Sequence, residues 1–138
     1  MESSAACKRI VDANLNRAKE AFRVAEDIIR FEYNDANLST LLKSLRLEVG
    51  SIAKKYYDTI AFRDTQNDCL TKVTLEKEKK RISLFEILII NFKRAQESLR
   101  VLEEVFKLLD IENSALCKQI RYKTYILEKE IYDKYAKH

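Results

Sequence analysis

Apolar residues recur along this chain at alternating intervals of four and three. Val11, Leu15, Ala18, Phe22, Ala25 and Ile29 follow that rhythm, then Leu38, Leu42, Leu45, Val49, Ile52 and Tyr56, then Leu88, Phe92, Ala95, Leu99, Leu102 and Phe106. A fourth series, Cys117, Ile120, Thr124, Leu127 and Ile131, keeps it over a shorter span. This is the spacing of one buried helix face, so four amphipathic helices are predicted and no strands. The first is expected to start near Ser3 or Ser4 and to end about Phe31 or Tyr33, before a polar turn of Asn34, Asp35 and Asn37. The second starts from about Leu38, and Gly50 inside it is read as a mark of close helix packing. Ser83, with Glu86 three residues on, predicts a capping box for the third helix, and a turn at Asp110, Ile111, Glu112 and Asn113 precedes the fourth.

The third helix is a second copy of the first. Moved back by 77 positions, Asn91, Arg94, Ala95, Glu97, Arg100, Val101 and Glu103 fall on Asn14, Arg17, Ala18, Glu20, Arg23, Val24 and Glu26, seven identities in 13 positions. LLKSLR at 41–46 matches LCKQIR at 116–121 with an offset of 75. Each half is therefore an αα-hairpin, about 4–57 and 83–136, joined by a long connection at about 58–82. The predicted architecture is all-α: a single-domain four-helix bundle over residues 1–138 with approximate internal twofold symmetry.

Two polar positions fall inside the wide apolar sector of each repeat. Asn14 projects about 60° and Arg17 about 120° from the seam, as do Asn91 and Arg94. A guanidinium sheltered there needs an anion, so either a ligand carboxylate or phosphate or a purely structural buried partner is expected. Glu20 and Arg23, with Glu97 and Arg100, are expected opposite the seam as a solvated ladder of ion pairs three residues apart. Arg46 and Arg121 lie toward the edge of their apolar faces, and Tyr125, Glu128 and Tyr132 continue the Arg121 side, a stripe that suits packing better than base stacking.

Composition narrows the chemistry. One glycine, no proline and 35% charged residues fit packed helices, and the Lys, Glu, Ile and Tyr bias hints at a thermophilic source. The net charge of +4 is spread evenly, with a local basic excess only in KVTLEKEKKR at 72–81, which speaks against a nucleic-acid binder. Three cysteines without companion histidines fit neither a disulfide framework nor a zinc site. The lone histidine is His138, so an imidazole general base is excluded. No signal-peptide-like start and no long apolar run is present, so a cytoplasmic protein without a membrane partner is expected.

The connection contains AFRDTQNDCLTK, in which Arg63, Asp64, Thr65, Asp68 and Thr71 could hold a hydrated Mg²⁺ and a phosphate or simply cap a polar loop. A connection this long in a compact domain favours a working role. Neither a GxxxxGK[ST] loop nor a GxGxxG turn is present, so arginine forks and helix N-termini would have to replace glycine-loop amides.

DANLNRAKEAFRVAEDIIRF, RDTQND and NFKRAQESLRVLEE, in this order, resemble the small all-helical domain often fused to the N-terminal side of thiamine-phosphate synthase and also found alone. The resemblance spans nearly the whole chain and implies a hydroxymethylpyrimidine-phosphate kinase. It further implies ATP as co-substrate, Mg²⁺ as cofactor and a pyrimidine diphosphate as product for thiamine biosynthesis, with functional association with a thiamine-phosphate synthase expected; the wide apolar sectors separately fit a homo-oligomer as well as a closed bundle. The matching positions are Asn14, Arg17, Glu20, Arg23, Glu26, Arg63, Asp64, Thr65, Asp68, Asn91, Arg94, Glu97, Arg100, Glu103 and Arg121. The resemblance assigns no step to any of them; for a phosphoryl transfer Arg17, Arg94 and Arg121 are expected to grip phosphates. Arg23, Arg63, Thr65 and Arg100 are expected to bind substrate or nucleotide, with Asn14 and Asn91 orienting the ligand. Asp64 and Asp68, or Glu26 and Glu103, are expected to hold Mg²⁺, with Asp64 close to the reacting groups. Leu70 stands where the family typically has glycine, which removes one place for backbone to approach a phosphate. Within these 138 residues no synthase barrel is expected. A pericyclic catalyst of chorismate-mutase type, using arginines without ATP or Mg²⁺, and a non-catalytic helical module are the alternatives.

Overall fold

The computed structural model describes residues 4–75 and 80–136. Four helices account for most of it: α1 (Ala5–Phe31), α2 (Ala36–Lys55), α3 (Leu84–Leu109) and α4 (Ile111–Tyr135), with a 3-10 helix at Tyr57–Phe62 and no strand among the described residues. No helix among the described residues is long and apolar enough to cross a membrane. The basic stretch 72–81 lies partly outside the described residues.

Short side chains set the boundaries. Ser4 accepts from the Cys7 N–H and starts α1, and Ser83 accepts from the Glu86 N–H and starts α3, each satisfying one of the amides that a helix start leaves open. The turn after α1 is tighter than its sequence suggests. Asn34 turns the chain in the left-handed region (φ 50°), Asp35 caps α2, and Asn37 is already helical. The second turn is a single residue: Asp110 ends α3 and accepts from the Glu112 and Asn113 N–H groups of α4, so Ile111 belongs to the helix.

The four apolar series form one core. Phe22, Phe92, Phe106, Ile29, Leu42, Leu99 and Ile131 are among its fully buried members, and of the four series only Tyr56 is partly buried. The most extensive packing is between α1 and α3, with α2 laid on α1 and α4 on α3; the α2–α4 contact that closes the ring is thin. Gly50 is no packing glycine, since a Cβ there would meet nothing within 4 Å.

The halves are related as two partners of a twofold pair rather than by translation. Glu48 and Lys123, equivalent at the offset of 75, touch each other at 3.1 Å. Tyr56 at the end of α2 donates to Asp110 at the start of α4 (3.3 Å), and Tyr135 at the end of α4 donates to Asp35 at the start of α2 (2.6 Å). Such reciprocal contacts are the mark of an isologous interface, here within one chain. They also run α2 and α4 antiparallel.

Candidate functional site

The repeated polar residues converge on a cleft between α1 and α3. Asn14, Arg17, Glu20, Ala21 and Val24 line it from α1, and Asn91, Arg94, Glu97, Ser98 and Val101, each 77 residues later, line it from α3; its volume is about 450 Å³. A second hollow of about 590 Å³ opens from it on the α1 side, sharing Asn14, Arg17 and Glu20 and adding Arg9, Asp12 and the connection's Arg63, Asp64, Thr65 and Asp68. Among the described residues, the connection lines the hollow on the α1 side only.

Each repeat presents the same set of groups. Asn14 Nδ2 donates to the Ile10 carbonyl at 2.9 Å and Asn91 Nδ2 to the Ile87 carbonyl at 2.8 Å. A carbonyl acceptor fixes which end of the amide is nitrogen, so the amide oxygen of each is left for the cleft. Arg17, Arg94, Glu20 and Glu97 make no ion pair and no side-chain hydrogen bond with another described residue, and neither does Arg9. Ser98, only 4% exposed, is likewise without a partner among the described residues and is the polar replacement for Ala21.

The remaining candidate arginines are committed elsewhere. Arg46 donates to Glu26 at 2.8 Å, and Arg121 donates through Nη2 and Nε to Glu103 at 2.8 and 3.2 Å, two equivalent pairs that tie α2 to α1 and α4 to α3. Arg63 grips Asp12 with two hydrogen bonds, 2.7 and 2.8 Å, and anchors the connection on α1; that bond raises the Arg63 pKa further. Arg23 lies 3.7 Å from Asp27, and Arg100 pairs with Glu103 and Glu104 at 3.3 and 3.0 Å.

Several expectations are corrected by this arrangement. Arg17 and Arg94 are exposed, not sheltered, because α1 and α3 leave the sector above them open and their long stems carry the charged heads out of the apolar face. The expected ladder does not form: Glu20 and Glu97 turn into the cleft, while Arg23 and Arg100 find acidic partners further along their own helices. Glu26 and Glu103, 5% exposed, are consumed by interhelical arginines and do not stand as Mg²⁺ ligands. Arg121 sits against Tyr122 and Tyr125, 5.0 and 5.9 Å from their ring centroids, away from the cleft, so it is no phosphate clamp; the Tyr125 hydroxyl and Glu103 raise its pKa. Arg23 and Arg100 line neither hollow and pair with acidic residues of their own helices, whereas Arg63 lines the second hollow with Asp12 as its partner.

Sequence reasoning missed Arg9 and Asp12. Asp12 opens the DANLNR motif but has no counterpart in the repeat, where Ile89 stands, and Arg9 corresponds to Glu86. That asymmetry was the available signal, since residues serving only the connection need not be duplicated.

Asp64 and Asp68 sit on the rim. Asn67 donates to both Asp64 oxygens at 2.9 and 3.2 Å, and Asp68 Oδ1 accepts from the Leu70 N–H at 2.9 Å. Two carboxylates with further lone pairs suit a Mg²⁺ whose other ligands are water and phosphate. No cluster of three or more His, Cys, Asp and Glu residues fit to hold a metal occurs among the described residues, so an all-protein cage is not on offer. All three cysteines are free. Arginine and carboxylate groups and amide oxygens left without protein partners, on an apolar floor of Ala21, Val24 and Val101, suit a ligand that combines phosphate with a flat heterocycle.

Residues 9–130 match the model of the ThiD2 family. The chain is similar to a thiamine-phosphate synthase of Nostoc punctiforme, 43% identical over 124 residues covering 89% of this chain and 34% of that protein. Proteins of the same name in Synechocystis and Rhodopirellula baltica are 42% and 36% identical, covering 91% and 89% of this chain and 36% and 33% of their own length. The chain spans about a third of the curated relatives it matches. No solved structure matches it.

Proposed function

Starting from the ThiD2 family, to which this chain belongs, we propose that the cleft between α1 and α3 transfers the γ-phosphoryl group of ATP to hydroxymethylpyrimidine phosphate. The product diphosphate serves thiamine biosynthesis, in keeping with the relatives' name, thiamine-phosphate synthase. The observation that carries this reading is the sorting of the arginines: those that staple helices are paired, while Arg17 and Arg94, which line the cleft, and Arg9, which lines the adjoining hollow, are not.

Phosphoryl transfer asks mainly for positioning and charge neutralisation. Arg17 and Arg94 supply planar donors to phosphate oxygens from opposite walls, and Arg9 adds a third cation on the connection side. Asn14 and Asn91, pinned to their own helices, present fixed acceptors and donors. The acceptor phosphate is an anion at neutral pH and attacks without a strong general base, which agrees with a cleft that has no histidine. Asp64 and Asp68 would hold Mg²⁺, which screens the charge of the nucleotide phosphates when bound.

Incubation with ATP, Mg²⁺ and the pyrimidine monophosphate, followed by anion-exchange separation, should yield the diphosphate; its absence at micromolar enzyme rejects the activity. Arg94→Ala is expected to lower kcat/KM at least 100-fold, about 2.7 kcal/mol of transition-state stabilisation. An unchanged rate removes Arg94 from the site.

A further inference from the structure

Five residues of α1 and their five equivalents on α3 form the walls of one cleft. Because the halves are related by a local twofold, the Asn–Arg–Glu set on one wall is repeated in reversed direction on the other. A reaction that moves a phosphoryl group from one phosphate to another has the same symmetry. Its leaving group and its nucleophile are both phosphate oxygens, placed in line on either side of the transferring phosphorus.

We infer that the two repeats are quasi-equivalent phosphate half-sites: the α1 half-site takes the Mg²⁺-bound nucleotide, and the α3 half-site takes the phosphate of the acceptor. This assignment rests on the kinase reading above and adds to it which wall receives which substrate. The asymmetry of the connection decides the direction. Arg9, Asp64, Thr65 and Asp68 adjoin Arg17 alone, giving that side the extra cation and the two carboxylates that a metal-bound polyphosphate requires. Among the described residues, the α3 wall has none of these. It carries instead the Ser98 hydroxyl, on a residue only 4% exposed, where α1 has Ala21, one added hydrogen-bonding group suited to a small dianion.

In the step itself, an oxygen of the acceptor phosphate held by Arg94 forms the new bond to the γ-phosphorus. The bond from that phosphorus to the β–γ bridging oxygen breaks, and ADP departs on the Arg17 side carrying the electron pair. No proton need be gained or lost by the protein. Phosphoanhydride is exchanged for phosphoanhydride, and the transferring group passes across the local axis.

The test separates the substrates. Wild type, Arg17→Ala and Arg94→Ala, each checked for folding by circular dichroism, are titrated calorimetrically with ADP plus Mg²⁺ and, in separate runs, with the pyrimidine monophosphate. Arg94→Ala should weaken the monophosphate at least tenfold and leave ADP within twofold, Arg17→Ala should do the reverse, and Ser98→Ala should weaken the monophosphate only. If both arginine variants weaken the same probe, or the pattern is exchanged, the half-site assignment is overturned even in an active kinase. If the pattern holds but no diphosphate is made, the kinase reading falls and the two half-sites stand. If neither probe binds wild type, both readings fall.

Discussion

At the scale of single residues, Asp35 shows how one side chain carries several duties. Its Oδ1 accepts from the Leu38 N–H, and its Oδ2 accepts from Lys134 at 2.7 Å and Tyr135 at 2.6 Å, so it both caps α2 and fastens the end of α4. The amide hydrogen bond first, then Lys134 and Tyr135, lower its pKa from 3.8 to about 2. A carboxylate whose folded pKa is depressed stabilises the fold above its unfolded pKa and loses that contribution as pH falls through the folded value. Chemical denaturation of wild type and Asp35→Asn should therefore differ by a constant amount above about pH 5, with the gap narrowing between about pH 4 and about pH 2. At the alkaline end the same contact raises the Lys134 pKa above its ordinary 10.5, so the ion pair persists to higher pH than an isolated lysine would allow.

At the scale of elements, helix identity follows from local rules that the chain obeys throughout. Ser4, Asp35, Ser83 and Asp110 each cap a helix through a side-chain oxygen, which is why four helices begin sharply in a chain without proline. Gly50 is the exception, a poor helix former with nothing packed against it. Gly50→Ala is expected to stabilise the protein by about 1 kcal/mol, measured from the urea midpoint at unchanged slope, because alanine loses less backbone freedom and has space for its methyl group. Equal or lower stability would show that the position needs glycine for a reason outside packing.

At the scale of the whole molecule, the duplicated ion pairs Glu26–Arg46 and Glu103–Arg121 hold each outer helix to its inner one. Their side chains are 6% and 19% exposed in the first pair and 7% and 12% in the second. Removing one member leaves a mostly buried charge without its partner, so Glu103→Ala should cost about 3 kcal/mol, and Glu26→Ala a similar or somewhat smaller amount. Replacing Glu103 and Arg121 together by methionine should cost much less, since the penalty comes from the orphaned charge and not from the loss of the pair. Denaturant unfolding of the three variants checks the order. A Glu103→Ala protein as stable as wild type would reopen the assignment of that carboxylate as structural.

The all-α class, the two hairpins and the core were legible in the chain because helical periodicity is local, and an internal repeat is visible without knowing how its copies meet. Asn14, Arg17, Asn91 and Arg94 were also singled out by the repeat, and Asp64, Thr65 and Asp68 by the length and polarity of the connection. Which arginines remain free was not legible. Arg63 meets Asp12 across 51 residues, Arg46 meets Glu26 across 20, and Arg121 meets Glu103 across 18. An exposed cleft arginine and a structural one look alike in a helical repeat, and only the packing of helices brings a carboxylate within 3 Å of one and leaves the other facing water.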